Sequence, residues 1–238
     1  MVNMEILTYG ADKSQFIQWF MPKTEVKVKG VIALIHGGFW RQQHDLSLML
    51  PLAQDLRATG WAVANIEYRR ADCGGEWPVI RDDVSLALQQ VKQHAQQLQL
   101  PKRLLSIGHS VGGQLALLTA SQVEAVVALA PVTDVVRAYH DKLGEAAAQA
   151  FFKTSPEKNS SLFLAASPIA QLPLGCPILL IHGFLDERVP VSYAREFTQR
   201  AIETGDQLWY WEEPLSHQQV IDPSLGFWSR VKAWLEQR

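Results

Sequence analysis

Cysteine is scarce in this sequence of 238 residues, which contains only Cys73 and Cys176. Two widely separated cysteines exclude the dense pairing of a disulfide scaffold and the ligand spacing of a zinc site. We therefore expect both to be free thiols. Long apolar runs are absent as well: Val31 to Ile35 and Ile178 to Ile181 have the length of a strand and not that of a membrane span.

Neither sign of charge is in marked excess. Lys and Arg number 22 and Asp and Glu number 24, which gives a formal net charge of -2. Without a basic surplus the chain has little to attract a nucleic acid or an anionic membrane, so neither is an expected partner. Residues 1–15 also lack the basic start and the continuous apolar stretch of a signal peptide. We therefore expect a cytoplasmic protein.

The composition and the order of apolar segments predict an α/β fold. Hydrophobic residues make up 47% of the chain and charged residues 19%, which is typical of a folded protein. No repeat or linker divides the chain, so one domain is predicted over residues 1–238. Runs rich in Val, Ile and Leu recur at Val31 to Ile35, Trp61 to Ile66, Arg103 to Ile107, Ala125 to Ala130 and Ile178 to Ile181. Such runs indicate parallel strands buried on both faces, and helical spacing between them, as from Ile80 to Val91, indicates alternating helices.

Three further regions carry weaker signals. Polar residues that interrupt apolar ones predict edge strands at Glu5 to Tyr9 and Glu25 to Lys29. Asp222 as N-cap and Pro223 at the first helical position predict the start of a last helix that packs its aromatic face on the sheet. The irregular segment Thr133 to Pro177 is predicted to hold a small helical insertion or cap.

A sharp turn with a central serine follows the third of these apolar runs. Arg103 to Ile107 leads into GHSVGG (residues 108–113) and then into a helix-compatible stretch, which is G-x-S-x-G in its required context. The residues two before and two after Ser110 must be small because the serine backbone is strained, and both are glycine. The turn presents Ser110 as a nucleophile and directs the amide of Val111 towards an oxyanion. The order of elements disfavours the alternative, a glycine-rich connection with an incidental serine.

A second glycine-rich loop, HGGFW at residues 36–40, follows the strand that ends at Ile35. In a fold with this serine turn, the corresponding loop supplies the second oxyanion donor, and consecutive glycines let bare amides approach the substrate. Gly38 and Phe39 are the candidate donors. His36 is interpreted as an anchor of the loop through side-chain hydrogen bonds. Trp40 either packs the loop or forms a wall of the substrate-binding site.

An acid and a base follow the last two predicted strands. Asp186 lies after Ile178 to Ile181, and its rival Asp134 lies after the preceding strand. Asp186 is favoured because its strand comes immediately before the one that leads to the candidate base. That base is His217, which follows the last predicted strand, Gln207 to Glu212, and precedes the final helix. The resulting order Ser, Asp, His is the one that this type of site requires.

The other histidines are assigned no chemistry. His44, His94 and His140 lack such a setting and are predicted to be surface residues. His109 and His182 flank key residues, and we expect both to have packing roles.

Together these segments resemble the α/β-hydrolase superfamily over essentially the whole chain, with GHSVGG, His182 to Pro190 and the loop around His217 in register. His36 to Trp40 is similar to the H-G-G-x-W signature of kynurenine formamidases and related small esterases, and so is GWAVANIEYRR (residues 60–70). The resemblance implies a mostly parallel sheet of about eight strands, with helices on both faces and a small or absent cap. It also implies hydrolysis of aryl formamides or short acyl esters without a metal or another cofactor.

The function implied by the resemblance is Ser-His-Asp acyl transfer from a small-molecule acyl substrate, with kynurenine formamidase as a narrower alternative. Because the chain is short for this fold, we expect small, accessible substrates. Two further classes are open. A non-catalytic member that binds a small ligand is disfavoured by the intact triad, although the fold alone does not fix function. An exopeptidase is disfavoured because no added substrate-gating domain is predicted.

Overall fold

An eight-stranded sheet organises the chain in the computed structural model, which describes residues 4–23 and 25–238. The strands are β1 (Met4–Thr8), β2 (Phe16–Phe20), β3 (Val31–Ile35), β4 (Ala62–Ile66), β5 (Leu104–His109), β6 (Ala125–Leu129), β7 (Ile178–Gly183) and β8 (Leu208–Glu213). Their order in the sheet is β1-β2-β4-β3-β5-β6-β7-β8. β2 is antiparallel to both β1 and β4, and every other neighbouring pair is parallel. The prediction of a mostly parallel sheet is confirmed.

Helices cover both faces of this sheet. They are α1 (Leu50–Ala58), α2 (Val79–Gln97), α3 (Val111–Leu118), α4 (Val135–His140), α5 (Leu143–Phe152), α6 (Ser160–Ala166), α7 (Ser192–Thr204) and α8 (Phe227–Glu236). Short 3-10 helices lie at Leu46–Met49, Ala120–Gln122, Pro168–Gln171 and Gln219–Ile221.

The hydrophobic core has two parts, one on each face of the sheet, because the side chains of strands such as β3 point to both faces. All five side chains of β3 are buried. Ala33 and Ile35 pack in the cluster that includes α2, α3 and α7, whereas Ile32 and Leu34 pack in the cluster that includes α1 and α8. Successive side chains of a strand point to opposite faces, so a strand between two helical layers must be apolar throughout. This explains the continuous apolar runs of the sequence.

The strand register brings several loops together at one edge of the sheet. Ile35 pairs with Gly108, His109 with Leu129, and Gly183 with Glu213. The carboxyl ends of these parallel strands therefore lie side by side, and the loops that follow them are neighbours. Open α/β sheets bind their ligands at this edge.

The predicted strand at Glu25 to Lys29 is wrong. These residues form a turn and extended chain without strand pairing, in which Lys29 N donates to Gly60 O at 2.9 Å. β2, at Phe16–Phe20, takes that place in the sheet and buries Ile17 and Trp19. The other predicted edge strand, Glu5 to Tyr9, corresponds to β1 at the sheet edge.

The predicted start of the last helix is also wrong. α8 begins at Phe227, and residues 222–226 form a turn. The Asp222 carboxylate accepts hydrogen bonds from the amide and hydroxyl of Ser224 instead of capping a helix. The aromatic face nevertheless packs as expected, because Trp228 and Trp234 are buried in the cluster against the sheet.

The segment between β6 and β7 is helical, as predicted. It contains α4, α5 and α6, and α5 begins with left-handed backbone at Gly144, Glu145 and Ala146. A Cβ at Gly144 would lie 2.5 Å from the ring of Phe39, so this insertion packs directly on the loop that follows β3. Among the helices that the structure describes, none is both long and apolar enough to cross a membrane.

Candidate active site

Ser110 occupies a strained turn between β5 and α3. Its φ of 56° and ψ of -118° place it in a region that non-glycine residues rarely adopt. A Cβ at Gly108 would come within 2.1 Å of Gly112 O, and one at Gly112 would come within 2.1 Å of Ile35 O. The two glycines are therefore required by close backbone approach, as the motif predicted. The turn is held by Ser110 N, which donates to Leu129 O at 2.9 Å.

The loop after β3 lies against this turn. A Cβ at Gly37 would be 2.8 Å from Ser110 Cβ, and Gly38, Phe39 and Trp40 have positive φ values of 131°, 51° and 60°. Among the described residues, no backbone carbonyl accepts a hydrogen bond from the amides of Gly38, Phe39 or Val111. The Val111 amide is free for a general reason, since the first amides of a helix have no partner inside it. These three amides are the predicted oxyanion donors.

His36 anchors the loop, as the sequence predicted. Its ring is fully buried, with Nδ1 2.7 Å from Gly37 O and Nε2 3.1 Å from a carboxylate oxygen of Glu67. The ring of Tyr68 stacks on it at a centroid distance of 4.4 Å, and the Tyr68 hydroxyl donates to His36 O at 2.9 Å. Sequence reasoning missed Glu67, although an acid directly after the buried strand β4 was a signal for it.

Asp186 and His217 meet at the same sheet edge, after β7 and β8. His217 Nδ1 lies 2.7 Å from Asp186 Oδ2, and both side chains are buried. Asp186 Oδ1 accepts hydrogen bonds from the amides of Arg188 and Val189, each at 2.8 Å. Asp134, the rival acid, is elsewhere: it caps α4 by accepting from Arg137 N at 3.0 Å.

His182 contributes more to this pair than the predicted packing. Its Nε2 lies 2.8 Å from Val189 O and 3.2 Å from Asp186 Oδ2, so Asp186 Oδ2 faces two imidazoles. Burial by itself would raise the pKa of Asp186, but the hydrogen bonds from His182 and His217 outweigh it and hold that pKa below its usual range. The i, i+4 spacing of His182 and Asp186 in the sequence was the available signal.

One expected contact, a hydrogen bond between Ser110 Oγ and the candidate base His217, is not formed among the described residues. Ser110 is buried, and its Oγ has no hydrogen-bond partner among the described residues. The His217 ring stacks over Phe39 at a centroid distance of 6.4 Å and lies 4.7 Å from the ring of His109, the neighbour of Ser110. Hydrogen bonds of a catalytic site are often long without substrate and tighten in the reacting complex.

His109 packs beneath the site, as expected. Its Nε2 lies 3.0 Å from the backbone carbonyl of His217, and its Nδ1 is buried with no partner in the described part of the chain. Burial, together with the charge that His217 acquires, lowers the pKa of His109 to about 3. The residue is therefore neutral at every pH at which the protein is expected to work.

Acidification is expected to destabilise the fold through His109. The unfolded chain takes up a proton there near the ordinary pKa of 6.5, whereas the folded state does so only near about 3. Stability should thus fall as pH decreases between these values, by up to about 1.4 kcal/mol per pH unit from this residue. Urea unfolding of the wild type and His109→Gln over this range measures the effect. The variant should show the shallower fall, and parallel curves would contradict the prediction.

Trp40 and three further histidines differ in how deeply they are buried. Trp40 is only 2% exposed; it donates to Gln114 at 3.1 Å and stacks on Phe151, a geometry that favours loop packing over a substrate wall. His140 is exposed, as predicted. His94 is not: it is buried against Trp19. His44 is half-buried, with its Cβ packed over Gly38.

Two adjoining cavities, of about 560 and 590 Å³, open beside the loop after β3. The first reaches Phe39, and both are lined by Ala71, Asp72, Phe151 and Lys153. Space for a substrate group therefore exists next to the candidate oxyanion donors.

This sheet order, with a serine turn after β5 and an acid-histidine pair after β7 and β8, defines an α/β-hydrolase. Residues 79–217, more than half of the 238-residue chain, match the family model described as the prolyl oligopeptidase family, and the chain belongs to that family. The model described as BD-FAE also matches, over residues 17–123.

Two proteins of similar sequence have the names of ester hydrolases. The probable carboxylic ester hydrolase LipM of Mycobacterium tuberculosis is 28% identical over an alignment of 198 residues, and the match covers 74% of this chain and 46% of that protein. Esterase LipC of the same organism is 26% identical over an alignment of 241 residues, and the match covers 90% of this chain and 59% of that protein. The chain thus spans about half the length of these relatives.

Solved structures share the fold at low identity. A truncated form of a carbohydrate esterase from gut microbiota has a TM-score of 0.83 and 18% identity, with 98% of this chain and 94% of that chain covered. Thermogutta terrifontis esterase 2 phosphonylated by sarin has a TM-score of 0.76 and 18% identity, with 96% and 95% covered. The α/β-hydrolase fold predicted from the motifs is confirmed.

Proposed function

We propose that the chain is a carboxylic ester hydrolase with Ser110 as nucleophile, His217 as general base and Asp186 as the acid that orients the base. The proposal depends above all on the 2.7 Å contact between His217 Nδ1 and Asp186 Oδ2, at the same sheet edge as the Ser110 turn. With Nδ1 donating to the carboxylate, Nε2 is the nitrogen left to accept a proton from serine. The names of LipM and LipC support the same reaction.

The proposed reaction is a two-step acyl transfer. His217 takes the proton of the Ser110 hydroxyl as the oxygen attacks the ester carbonyl, and the amides of Val111, Gly38 and Phe39 bind the resulting oxyanion. His217 then gives its proton to the leaving alkoxide, which departs as an alcohol and leaves an acyl group on Ser110. A water, deprotonated by His217, releases the acid and restores the enzyme. Asp186 stabilises the imidazolium that forms in each step.

The acyl group is proposed to be small, because Phe39 limits the space beside Ser110. Phe39 is 6% exposed and is held between the His217 ring and the start of α5. A longer acyl chain would overlap the ring of Phe39, and each methylene that is kept out of the site also forgoes about 0.8 kcal/mol of burial. We therefore expect the rate on p-nitrophenyl esters to fall steadily from acetate to dodecanoate.

The same ester series, run on Phe39→Ala, supplies the control. Truncation should move the preference towards longer acyl chains, whereas Phe151→Ala, a change on the proposed leaving-group side, should not. Rates that rise with chain length in the wild type would contradict a small acyl site. N-formylkynurenine belongs in the same assay: its hydrolysis would support the narrower kynurenine formamidase proposal, and hydrolysis of acetate alone would discard it.

A carbohydrate is proposed as the leaving-group side of the substrate. The cavity beside Phe39 is lined by the amides of Gln42 and Gln43, the carboxylate of Asp72 and the ring of Phe151. Amides and carboxylates hydrogen-bond hydroxyl groups, and an aromatic face packs on a sugar ring. The name of the carbohydrate esterase neighbour supports this choice. Acetylated sugars should then be cleaved with a lower KM than p-nitrophenyl acetate.

The family match adds a competing reaction, the hydrolysis of peptide amides. Prolyl and other aminoacyl p-nitroanilides distinguish it from ester hydrolysis, and turnover of these in preference to acetate esters would replace our proposal. A non-catalytic, ligand-binding role would be supported by lack of turnover on the whole panel together with lack of covalent labelling of Ser110.

The proposed role of Asp186 can be tested against its rival acid. Asp186→Asn should lower kcat on the order of 10⁴-fold, because the amide can no longer hold His217 in the required tautomer or stabilise its imidazolium. Asp134→Asn is the matched control: it affects a cap of α4 and should leave kcat within about twofold. A larger loss from Asp134→Asn would move the acid to the loop after β6.

A further inference from the structure

The ring of His36 faces a hydrogen-bond acceptor at each nitrogen. Nδ1 is 2.7 Å from the carbonyl oxygen of Gly37, and Nε2 is 3.1 Å from Glu67 Oε1. A carbonyl oxygen only accepts, so Nδ1 must carry a proton. A neutral imidazole has one N–H, so a second proton is needed on Nε2 or on the Glu67 carboxyl group.

The surroundings of Glu67 decide between these two places. Its side chain is 4% exposed, and apart from His36 each neighbour of its oxygens is a donor: Leu46 N at 3.0 Å, Tyr68 N at 3.1 Å and the positively charged Arg70 at Nη1, 3.1 Å away. A proton on this carboxyl group could be accepted only by His36 Nε2 and would remove the negative charge that the guanidinium of Arg70 faces, whereas a carboxylate accepts from all four groups. Glu67 therefore fits the ionised form, and the second proton belongs on His36.

We propose that His36 is a buried imidazolium that polarises the loop after β3 and thereby strengthens the oxyanion site. The Gly37 carbonyl that accepts from Nδ1 belongs to the same peptide unit as the Gly38 N–H. A hydrogen bond accepted at the oxygen of a peptide makes its N–H a stronger donor. His36 is thus a positioning residue that acts on the transition state through Gly38. The inference rests on the proposed function of this loop.

The cluster of His36, Glu67 and Arg70 has the positive charge that stabilisation of an oxyanion requires. With Glu67 ionised, the charges of His36, Glu67 and Arg70 leave one net positive charge, and the three side chains are between 0% and 10% exposed. Gly37 itself is against Ser110, as its approach to Ser110 Cβ shows. In surroundings of low dielectric a nearby positive charge stabilises a developing oxyanion more than it does in water. Two further titratable groups, Asp45 and His44, interact electrostatically with His36.

The protonation state of the His36 ring can be measured directly in the wild-type protein. In a sample with ¹⁵N-labelled histidine, two-dimensional long-range ¹H–¹⁵N spectra at pH 8 should show both nitrogens of His36 with the shifts of protonated nitrogen. In Glu67→Gln the ring should become a neutral tautomer with one protonated nitrogen. A neutral tautomer of His36 in the wild type would overturn the proposal, whatever the variants do.

Kinetics separate polarisation from mere support of the loop. Glu67→Gln keeps the shape of the side chain, so we expect kcat for p-nitrophenyl acetate to fall about 10- to 100-fold while KM stays within about twofold. The affinity for a trifluoromethyl ketone, which forms an oxyanion on Ser110, should fall by the same factor as kcat. An unchanged kcat, or a loss confined to KM, would contradict the proposal.

Asp83→Asn is the matched control. Asp83 is a fully buried carboxylate that accepts from Arg69 and Gln15, so it resembles Glu67 in burial and pairing. Within residues 4–23 and 25–238, no hydrogen bond or ion pair joins it to the loop after β3. Its substitution should lower the melting temperature and leave kcat unchanged; an equal loss of kcat in both variants would show a general effect of stability. Failure of the proposed function is distinguishable, because wild-type Ser110 would then not be labelled by a fluorophosphonate.

Discussion

Ser110→Ala is expected to lower kcat on p-nitrophenyl acetate by a factor on the order of 10⁴ to 10⁶ while the protein remains folded. The substitution removes the atom that forms the acyl-enzyme, and the oxyanion amides that remain can support only slow attack by water. Because alanine tolerates the Ser110 backbone no worse than serine does, circular dichroism and thermal unfolding should be unchanged. The same variant should no longer react with a fluorophosphonate, which phosphonylates an activated serine.

Ser106→Ala provides the control for this experiment. Ser106 lies four residues earlier in β5, is fully buried, and like Ser110 has an Oγ without a partner among the described residues. It differs in having no strained turn and no nearby acid-histidine pair. Peptide mapping of the labelled wild type should find the phosphonyl group on Ser110, and Ser106→Ala should be labelled at the same rate. A label on any other serine would refute the assignment of the nucleophile.

The features that sequence predicted correctly depend on local chemistry. The glycine at position 108 follows from the collision that its Cβ would cause with Gly112 O inside the serine turn, which is a property of five consecutive residues. The buried strands follow from apolar runs such as Val31 to Ile35, whose side chains must suit two helical layers at once. The position of His217 beside Asp186 follows from chain order, because His217 comes after the last strand and before the last helix, and its role as the base stays a prediction.

The features that sequence did not predict depend on partners far away in the chain. β2 is a strand because Ile17 and Trp19 enter the core beside β4, where they pair with Ile66 and Ala64. Glu67 contacts His36, which lies 31 residues away in the sequence, and Gln114 accepts a hydrogen bond from Trp40, which lies 74 residues away. Such pairs have no spacing rule, since each is formed only when the sheet order is known. The same reason explains why His94 was placed on the surface although it packs on Trp19.

Gln114 connects the loop after β3 to the insertion between β6 and β7. This buried side chain on α3 accepts from Trp40 Nε1 at 3.1 Å and donates to Ala166 O at 2.7 Å. The loop after β3 is therefore tied both to the helix that follows Ser110 and to α6. The amides that we propose as oxyanion donors are thereby held in place before substrate binds, which is the condition for electrostatic stabilisation without reorganisation.

His217→Ala is expected to be as damaging as Ser110→Ala, with kcat lowered on the order of 10⁴- to 10⁶-fold. Without the imidazole no group remains to take the serine proton, and the Ser110 hydroxyl is a poor nucleophile at neutral pH. Residues that act as one unit give losses that do not add. The double variant Ser110→Ala with His217→Ala should therefore be no slower than either single variant, within about threefold.

The choice of control histidine follows from the structure. His44 is unsuitable, because its Cβ packs over Gly38 and its substitution would disturb the oxyanion loop. His140 is exposed and contacts Glu157 and the ring of Tyr139, so His140→Ala should retain wild-type kcat. Fluorophosphonate labelling of Ser110 should become far slower in His217→Ala, because the serine is still present but no longer activated. Labelling at the wild-type rate, or losses in the double variant that multiply, would mean that another group serves as the base.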